Sequence, residues 1–175
     1  MDTFFEQIVK RRKTMPEKII WVLMWFFAVI IMLALLLYSP QLGAFSMVGL
    51  IAAFGVGYGT FRYTSGQNIE FEYSVTNGEV DIDKIIAQRK RKRLITIDCK
   101  AIDAFGVYDP MKHTNTNYDK RMLACNLDAE KLYYFVTRYK EFGRVLVVVE
   151  PDERILSALK KYVPRQVAYD AFSGN

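Results

Sequence analysis

The run IIWVLMWFFAVIIMLALLLYSPQLGAFSMVGLIAAFGVGYGTF, Ile19–Phe61, has no Asp, Glu, Lys, Arg or His in 43 residues, within a 175-residue chain that is 25% charged. As one helix it would be about 65 Å long. The hydrocarbon core of a bilayer is about 30 Å thick and takes about 20 residues to cross. One helix is too long and two fit. Pro40 and Gly43 break the run inside Tyr38-Ser39-Pro40-Gln41-Leu42-Gly43, a local turn signal. The expected spans are therefore 19–38 and 42–61. Backbone groups in lipid must pair within their own segment, so both are helices, and the short connection makes them an antiparallel hairpin.

Orientation follows from the basic residues near the span ends. Arg11, Arg12, Lys13 and Lys18 precede the first span, Arg62 follows the second, and the connection has neither Lys nor Arg. Both termini are expected on the cytoplasmic side of the plasma membrane. A cleaved signal peptide would have an apolar core of about 7–15 residues and small residues at its end. Here the first span closes on Leu35-Leu36-Leu37-Tyr38, and a second apolar stretch follows.

Residues 1–18 form a cytoplasmic segment in this reading. Thr14-Met15-Pro16-Glu17 has the pattern of a capping box with Pro in the first turn. Before it, Phe4, Phe5, Ile8 and Val9 share one face of a short helix, beside Arg11, Arg12 and Lys13. Two readings fit this segment: an amphipathic helix lying on an anionic membrane surface, and a solvated signal that only sets topology.

The spans differ in texture. The first is bulky. The second carries Ser46, Gly49, Ala53, Gly57 and Thr60 on one stripe, with Gly55 and Gly59 beside it. Small residues let helix backbones approach closely in lipid. One small side suits packing within the hairpin, and the other suits packing between subunits. With no ionisable side chain in either span, the tract lacks the groups that usually mark ion and proton pathways. It is expected to anchor.

The chain after Arg62 is long enough for one domain. Ile69-Glu70-Phe71-Glu72-Tyr73-Ser74-Val75 alternates apolar and polar, as a half-buried strand does. Asn77-Gly78 is a strong hairpin signal. Further strands are expected at 80–87, 94–98, 105–108, 121–125, 131–139 and 144–150, with a polar loop at 111–119. Val145–Val149 is nearly all Val and Leu and should be central. Pro151–Tyr162 switches to a helical period, with Ile155, Leu156, Leu159 and Tyr162 on one face and Pro164 as a stop. The tail 165–175 is expected to be extended and partly disordered.

A two-span hairpin running at once into Ile69–Asn77, then strands, then the strand-to-helix ending at 144–164 with Pro151-Asp152-Glu153-Arg154, resembles bacterial families that join a two-helix membrane anchor to a cytoplasmic pleckstrin-homology-like (PH-like) domain. The resemblance covers most of residues 19–164 and is one of layout. It implies a seven-stranded antiparallel, partly open barrel over residues 67–164, plugged at its open end by a C-terminal helix. It brings no functional residues with it, and fold alone does not fix function.

The densest charged feature is Arg89-Lys90-Arg91-Lys92-Arg93, expected at the turn between the second and third strands of the domain. It suits contact with anionic headgroups or a partner, at about 1 kcal/mol per basic residue near a charged leaflet. It equally suits neutralisation of Glu70, Glu72, Asp81 and Asp83 on neighbouring strands. A nucleic-acid partner is disfavoured by the anchor, the net charge of only +5 and the lack of interleaved aromatics. Cys99 and Cys125 are expected as small core residues on the reducing side, without a disulfide. His113 is the only histidine and is expected in an exposed loop. No nucleophile pattern, metal-ligand cluster or phosphate-binding Gly loop accompanies it.

These features lead to a non-catalytic, membrane-anchored interaction or scaffold module without a cofactor. Its expected partners are membrane lipids and either further copies of itself or another protein. The alternatives are an anionic-lipid sensor using residues 89–93 and an accessory subunit of a membrane enzyme or transporter.

Overall fold

The computed structural model describes residues 4–172. Arg12–Asn68 forms one compact unit, and the chain before and after it forms the other. The second unit is therefore discontinuous in sequence, because its first strand precedes the apolar helices.

That strand, β1 (Phe4–Lys10), pairs antiparallel with β2 (Ile69–Thr76) from Phe4↔Thr76 to Lys10↔Glu70. An amphipathic helix is one of the two readings of this segment, the other a solvated topology signal, and the structure shows a strand instead. Phe4, Phe5, Ile8 and Val9 share a helical face, but in the strand they divide: Phe5 and Val9 turn inward while Phe4 and Ile8 are exposed. Gln7 lies on the inward face and decides the matter. Its amide Nε2 donates to the Glu150 carbonyl (3.0 Å), and its Oε1 accepts from the Asp152 backbone N–H (2.7 Å). A helix would forfeit the ladder and both bonds.

Sheet A runs β1-β2-β3-β4, with β3 at Glu79–Ile86 and β4 at Lys90–Asp98. The β2–β3 turn has Asn77 at φ 50° and Gly78 at φ 92°, the left-handed geometry that Asn-Gly adopts readily. Sheet B runs β5-β7-β8-β6, with β5 at Ile102–Val107, β6 at Lys120–Ala124, β7 at Tyr133–Tyr139 and β8 at Gly143–Val149. β6 pairs parallel to β8, so the strands are not all antiparallel. The seven-strand expectation becomes, among the described residues, eight strands in two four-stranded sheets. The domain bounds 67–164 change with it, because β1 at one end and the residues after 164 at the other belong to the same unit.

Alternation sends Val75, Tyr73, Val80, Ile82, Ile95 and Ile97 of sheet A, with Phe135, Val145, Val147 and Val149 of sheet B, into one buried core. β8 lies between β7 and β6 and is buried on both faces, as its run of Val and Leu requires. Helix α4 (Glu153–Tyr162) adds Ile155, Ala158 and Leu159 to this core. Asp152 caps it by accepting from the Ile155 N–H at 2.8 Å. The chain then forms α5 (Arg165–Phe172) instead of an extended tail, because Val167, Ala168 and Ala171 pack on the same core. The loop expected at 111–119 begins with a short helix, α3 (Pro110–Thr114), capped by Asp109 accepting from Met111 N–H at 3.0 Å.

A polar corner ties the two sheets together. Tyr73 Oη donates to the Ala124 carbonyl and accepts from the Glu150 N–H. Asn126 Nδ2 donates to the Lys10 carbonyl (3.0 Å) and to Glu150 Oε2 (3.1 Å). Burial pushes the Tyr73 phenol well above its usual range, so it stays protonated as the donor.

In the other unit, α1 (Met15–Tyr38) and α2 (Ser46–Gly66) are joined by a 3-10 segment, Ser39–Phe45. Glu17 accepts from the Thr14 N–H at 2.9 Å at the start of α1. The chain reverses at Gly43, whose φ of 57° breaks the helical path. The helical stretch Met15–Gly66 is long and apolar enough to cross a membrane.

A chain from residue 69 onward lacks β1 and leaves β2 as a bare edge. We expect such a fragment to be poorly dispersed in an amide-correlation NMR spectrum. Replacing 12–68 by a short turn, which retains β1, should restore a dispersed spectrum.

Candidate functional site

The basic run lies in a strand, not in a turn. β4 begins at Lys90, so only Arg89 remains in the connection Ala87-Gln88-Arg89. Ala87 and Gln88 take left-handed φ of 54° and 55°, which gives a tight reversal without glycine. Placing the run in a strand sends its alternate residues to opposite faces.

Arg91 and Arg93 lie on the outer face, over the acids. β3–β4 pairing sets Asp83 against Arg93 and Ile85 against Arg91. Arg91 Nη2 reaches Glu72 Oε2 at 2.5 Å. Arg93 binds Asp83 through Nε and Nη2, and reaches Asp81 and Thr96 through Nη1. The Glu72 and Asp83 side chains are only 7% and 5% exposed, because the guanidinium groups and the sheet cover them. Burial raises the Glu72 pKa, and the Arg91 charge opposes that rise. The hydrogen bond to Asp83 raises that of Arg93. Two of the five basic residues thus have a structural role.

The other face is different. Lys92 stands directly opposite Lys84, and Lys90 opposite Ile86, on the side that carries Phe71 and Ile82. A bulge at Leu94 separates this end from Ile95 and Ile97 in the core. Like charges directly opposite are unfavourable in a sheet. Among the described residues no acid pairs with Lys84, Arg89, Lys90 or Lys92. The set stands at the sheet end marked by Ile69 and Ile86, from which the chain runs back through two residues to α2.

The small residues of α2 also divide. Gly49 faces Ser39, the first residue of the connecting segment, and Gly57 faces α1; an added Cβ would lie 2.7 Å from Ser39 Cβ and 3.2 Å from Met32 Sδ. Ala53 and Ala28 are buried in the same helix pair, and the Ser46 carbonyl accepts from Ser39 Oγ at 3.2 Å. Gly55 and Gly59 have no atom within 4 Å of such a Cβ.

His113 is buried, contrary to expectation. Its ring stacks on Tyr108, meets Tyr134 edge-on and shares a 2.8 Å hydrogen bond between Nδ1 and Tyr118 Oη. Burial lowers its pKa, favouring the neutral ring. Asp109 caps α3 through its backbone bond to Met111. Asp103, Lys112, His113 and Asp170 border a cleft of about 460 Å3 between β5, α3 and α5, a feature without a single-residue signal in the sequence. Cys99 and Cys125 are free and buried, and burial pushes both thiols up to about 12. Among the described residues no group of three His, Cys, Asp or Glu side chains is disposed to hold a metal.

The two faces of β4 predict opposite responses. Arg93→Ala strands the buried Asp83 charge and should cost on the order of 2 kcal/mol. That is less than the 3–5 of a fully buried pair, because Arg93 is half exposed. Lys90→Ala and Lys92→Ala should stay within about 0.5 kcal/mol. Urea denaturation of each variant measures both.

No curated protein and no solved structure matches the chain. A family model described as bacterial PH-like domain (DUF6106) matches residues 1–169. That span takes in β1 before the helices and most of α5 after the strands, the same discontinuous unit that the sheets build, and the chain belongs to this family of bacterial PH-like domain proteins.

Proposed function

We propose that this protein is a non-catalytic, membrane-anchored interaction module. In this reading α1 and α2 cross the plasma membrane as a two-span hairpin, with both termini and the PH-like domain on the cytoplasmic side. The supporting observation is the insertion itself. The helices interrupt the β1–β2 ladder, with four residues between β1 and α1 and two between α2 and β2. At about 3.4 Å per residue, these connections reach roughly 14 and 7 Å, so the domain stays beside the headgroups. The basic residues flanking the helices orient the hairpin.

The test is cysteine labelling with a membrane-impermeant reagent on intact spheroplasts. Gln41→Cys, in the connection between the helices, should be labelled from outside. Glu153→Cys should be labelled only after permeabilisation. The reverse pattern would overturn the orientation, and labelling of both from outside would overturn the anchor. The buried Cys99 and Cys125 give a low background.

A second reading, contact with anionic lipid, draws support from the lysines on the core-side face of sheet A. Lys84, Lys90 and Lys92 lack acidic partners among the described residues and stand at the strand ends next to the connection to α2. Lipid phosphates would relieve their mutual repulsion. In this reading amide exchange at 84–92 is slower in nanodiscs containing phosphatidylglycerol than in pure phosphatidylcholine. High salt removes the difference, and so does the triple change of these lysines to Ser. Equal exchange in both lipids refutes it.

A further inference from the structure

The cleft of about 460 Å3 between β5, α3 and α5 carries charges of both signs. Asp103 comes from β5 and Asp170 from α5, while Lys112 comes from α3, beside His113. β5 is an edge strand of sheet B, with β7 as its strand neighbour, and α5 packs along it. All of these elements belong to one compact unit.

Local structure turns polar groups toward this cleft. β5 slips register between Ile102 and Ala104. Asp103 is the extra residue there, and a bulge re-aims the side chain it carries. Asp103 meets Arg138 only at 3.7 Å, with both side chains more than half exposed, so that contact holds it weakly. The Tyr108 N–H donates to the Leu132 carbonyl at 2.8 Å. This phase points the main-chain groups of Val107 away from β7, on the side where Val107 borders the cleft. Gly106 leaves β5 bare beneath Tyr134, whose Oη would lie 3.7 Å from a Cβ added there. His113 uses Nδ1 on Tyr118 Oη. Among the described residues neither its Nε2 nor the Tyr134 hydroxyl has a hydrogen-bond partner, and neither is sealed from solvent. Both rings border the cleft, with centroids 4.2 Å apart. His113 is only 8% exposed, so what it shows to solvent it shows there.

The charges narrow the class of ligand. A simple anion would sit against two carboxylates, and a simple diamine against the Lys112 ammonium. Among the described residues no three His, Cys, Asp or Glu side chains are placed to hold a metal ion. Burial keeps His113 neutral, so the charged side chains of the lining carry two negative charges and one positive. A basic amino acid carries the reverse, and it alone of these classes pairs every charged group. Asp103 lies near the start of β5 and α3 follows its end, about 13 Å further along the strand. An extended lysine with a hydrogen bond at each end is of that order of length. We propose that the cleft binds a basic amino acid of the lysine type. Its ammonium groups meet Asp103 and Asp170, its carboxylate meets Lys112, and His113 Nε2, Tyr134 Oη and the Val107 main chain supply hydrogen bonds. The proposal goes beyond the anchored-module reading and does not rest on it.

Calorimetric titration of the full chain in mild detergent tests the proposal. The probes are L-lysine, cadaverine, which lacks the carboxylate, and glutarate, which lacks both ammonium groups. L-Lysine should bind, cadaverine should bind about tenfold more weakly, and glutarate should give no heat of binding. Lys112→Ala should lower lysine to the level of cadaverine without weakening cadaverine. Asp170→Asn should weaken both amines about tenfold. Tyr134→Phe should weaken lysine by a smaller factor, because it removes a neutral hydrogen bond. Lys112 and Asp170 are exposed, so their variants should melt as the native chain does. Lys92→Ala, on sheet A, should leave lysine binding unchanged. A native chain that does not bind lysine, cadaverine or glutarate binding as tightly as lysine, or Lys112→Ala and Asp170→Asn variants that bind lysine like the native chain would overturn the proposal.

Discussion

Main-chain bonds between Phe4–Lys10 and Glu70–Thr76 close sheet A across the whole apolar insertion. Everything else in the domain leans on that closure. With β1 in place, Gln7 reaches the Glu150–Asp152 corner where β8 hands over to α4, and the Lys10 carbonyl receives the Asn126 amide. The cost of closing a long loop rises only with the logarithm of its length. Here the loop is itself two packed helices, so less freedom is lost in bringing β1 and β2 together.

The outer face of sheet A shows how the same chain carries many acids on adjacent strands without losing the sheet. Glu72, Asp81 and Asp83 lie side by side and would repel one another. Arg91 and Arg93 settle this from the next strand, with Thr96 donating to Asp81 as well. Arg93 serves three partners from one guanidinium, which a lysine has no geometry to do. The lysines of the run fall on the opposite face, where sheet A carries no such acids among the described residues. One strand therefore separates the arginines that hold the acids from lysines without acidic partners among the described residues.

Features that depend on near neighbours were legible in the sequence. Asn77-Gly78 announced its turn, Val145–Val149 its central place and Ile155–Leu159 its helix face. The family layout was legible for the same reason. What escaped depended on distant partners. Phe4, Phe5, Ile8 and Val9 fit a helical face, and only β2, some sixty residues away in sequence, makes them a strand. The reversal at Ala87-Gln88 carries no Asn or Gly, so β4 was expected to start at Leu94 and the basic run was assigned to the turn. Strand alternation within 89–93 was readable once that start was known. His113 sits in a polar stretch, and the tyrosines that bury it come from three separate segments. The α5 helix follows a proline stop and is short, so its packing residues gave too few turns to show a period.

The discontinuous sheet also sets an order of events during synthesis. β1 leaves the ribosome first, but its pairing partner is made only after both apolar helices. The core residues Val80, Ile82, Ile95 and Ile97 on the next two strands come later still. The nascent domain cannot close before the hairpin has been translated. Synthesis of both helices therefore precedes closure of the domain, and a chain delayed at that stage keeps β1 unpaired and open to chaperones and proteases. The position of β1 ahead of the two helices thus makes completion of the fold a report that both helices have already been made.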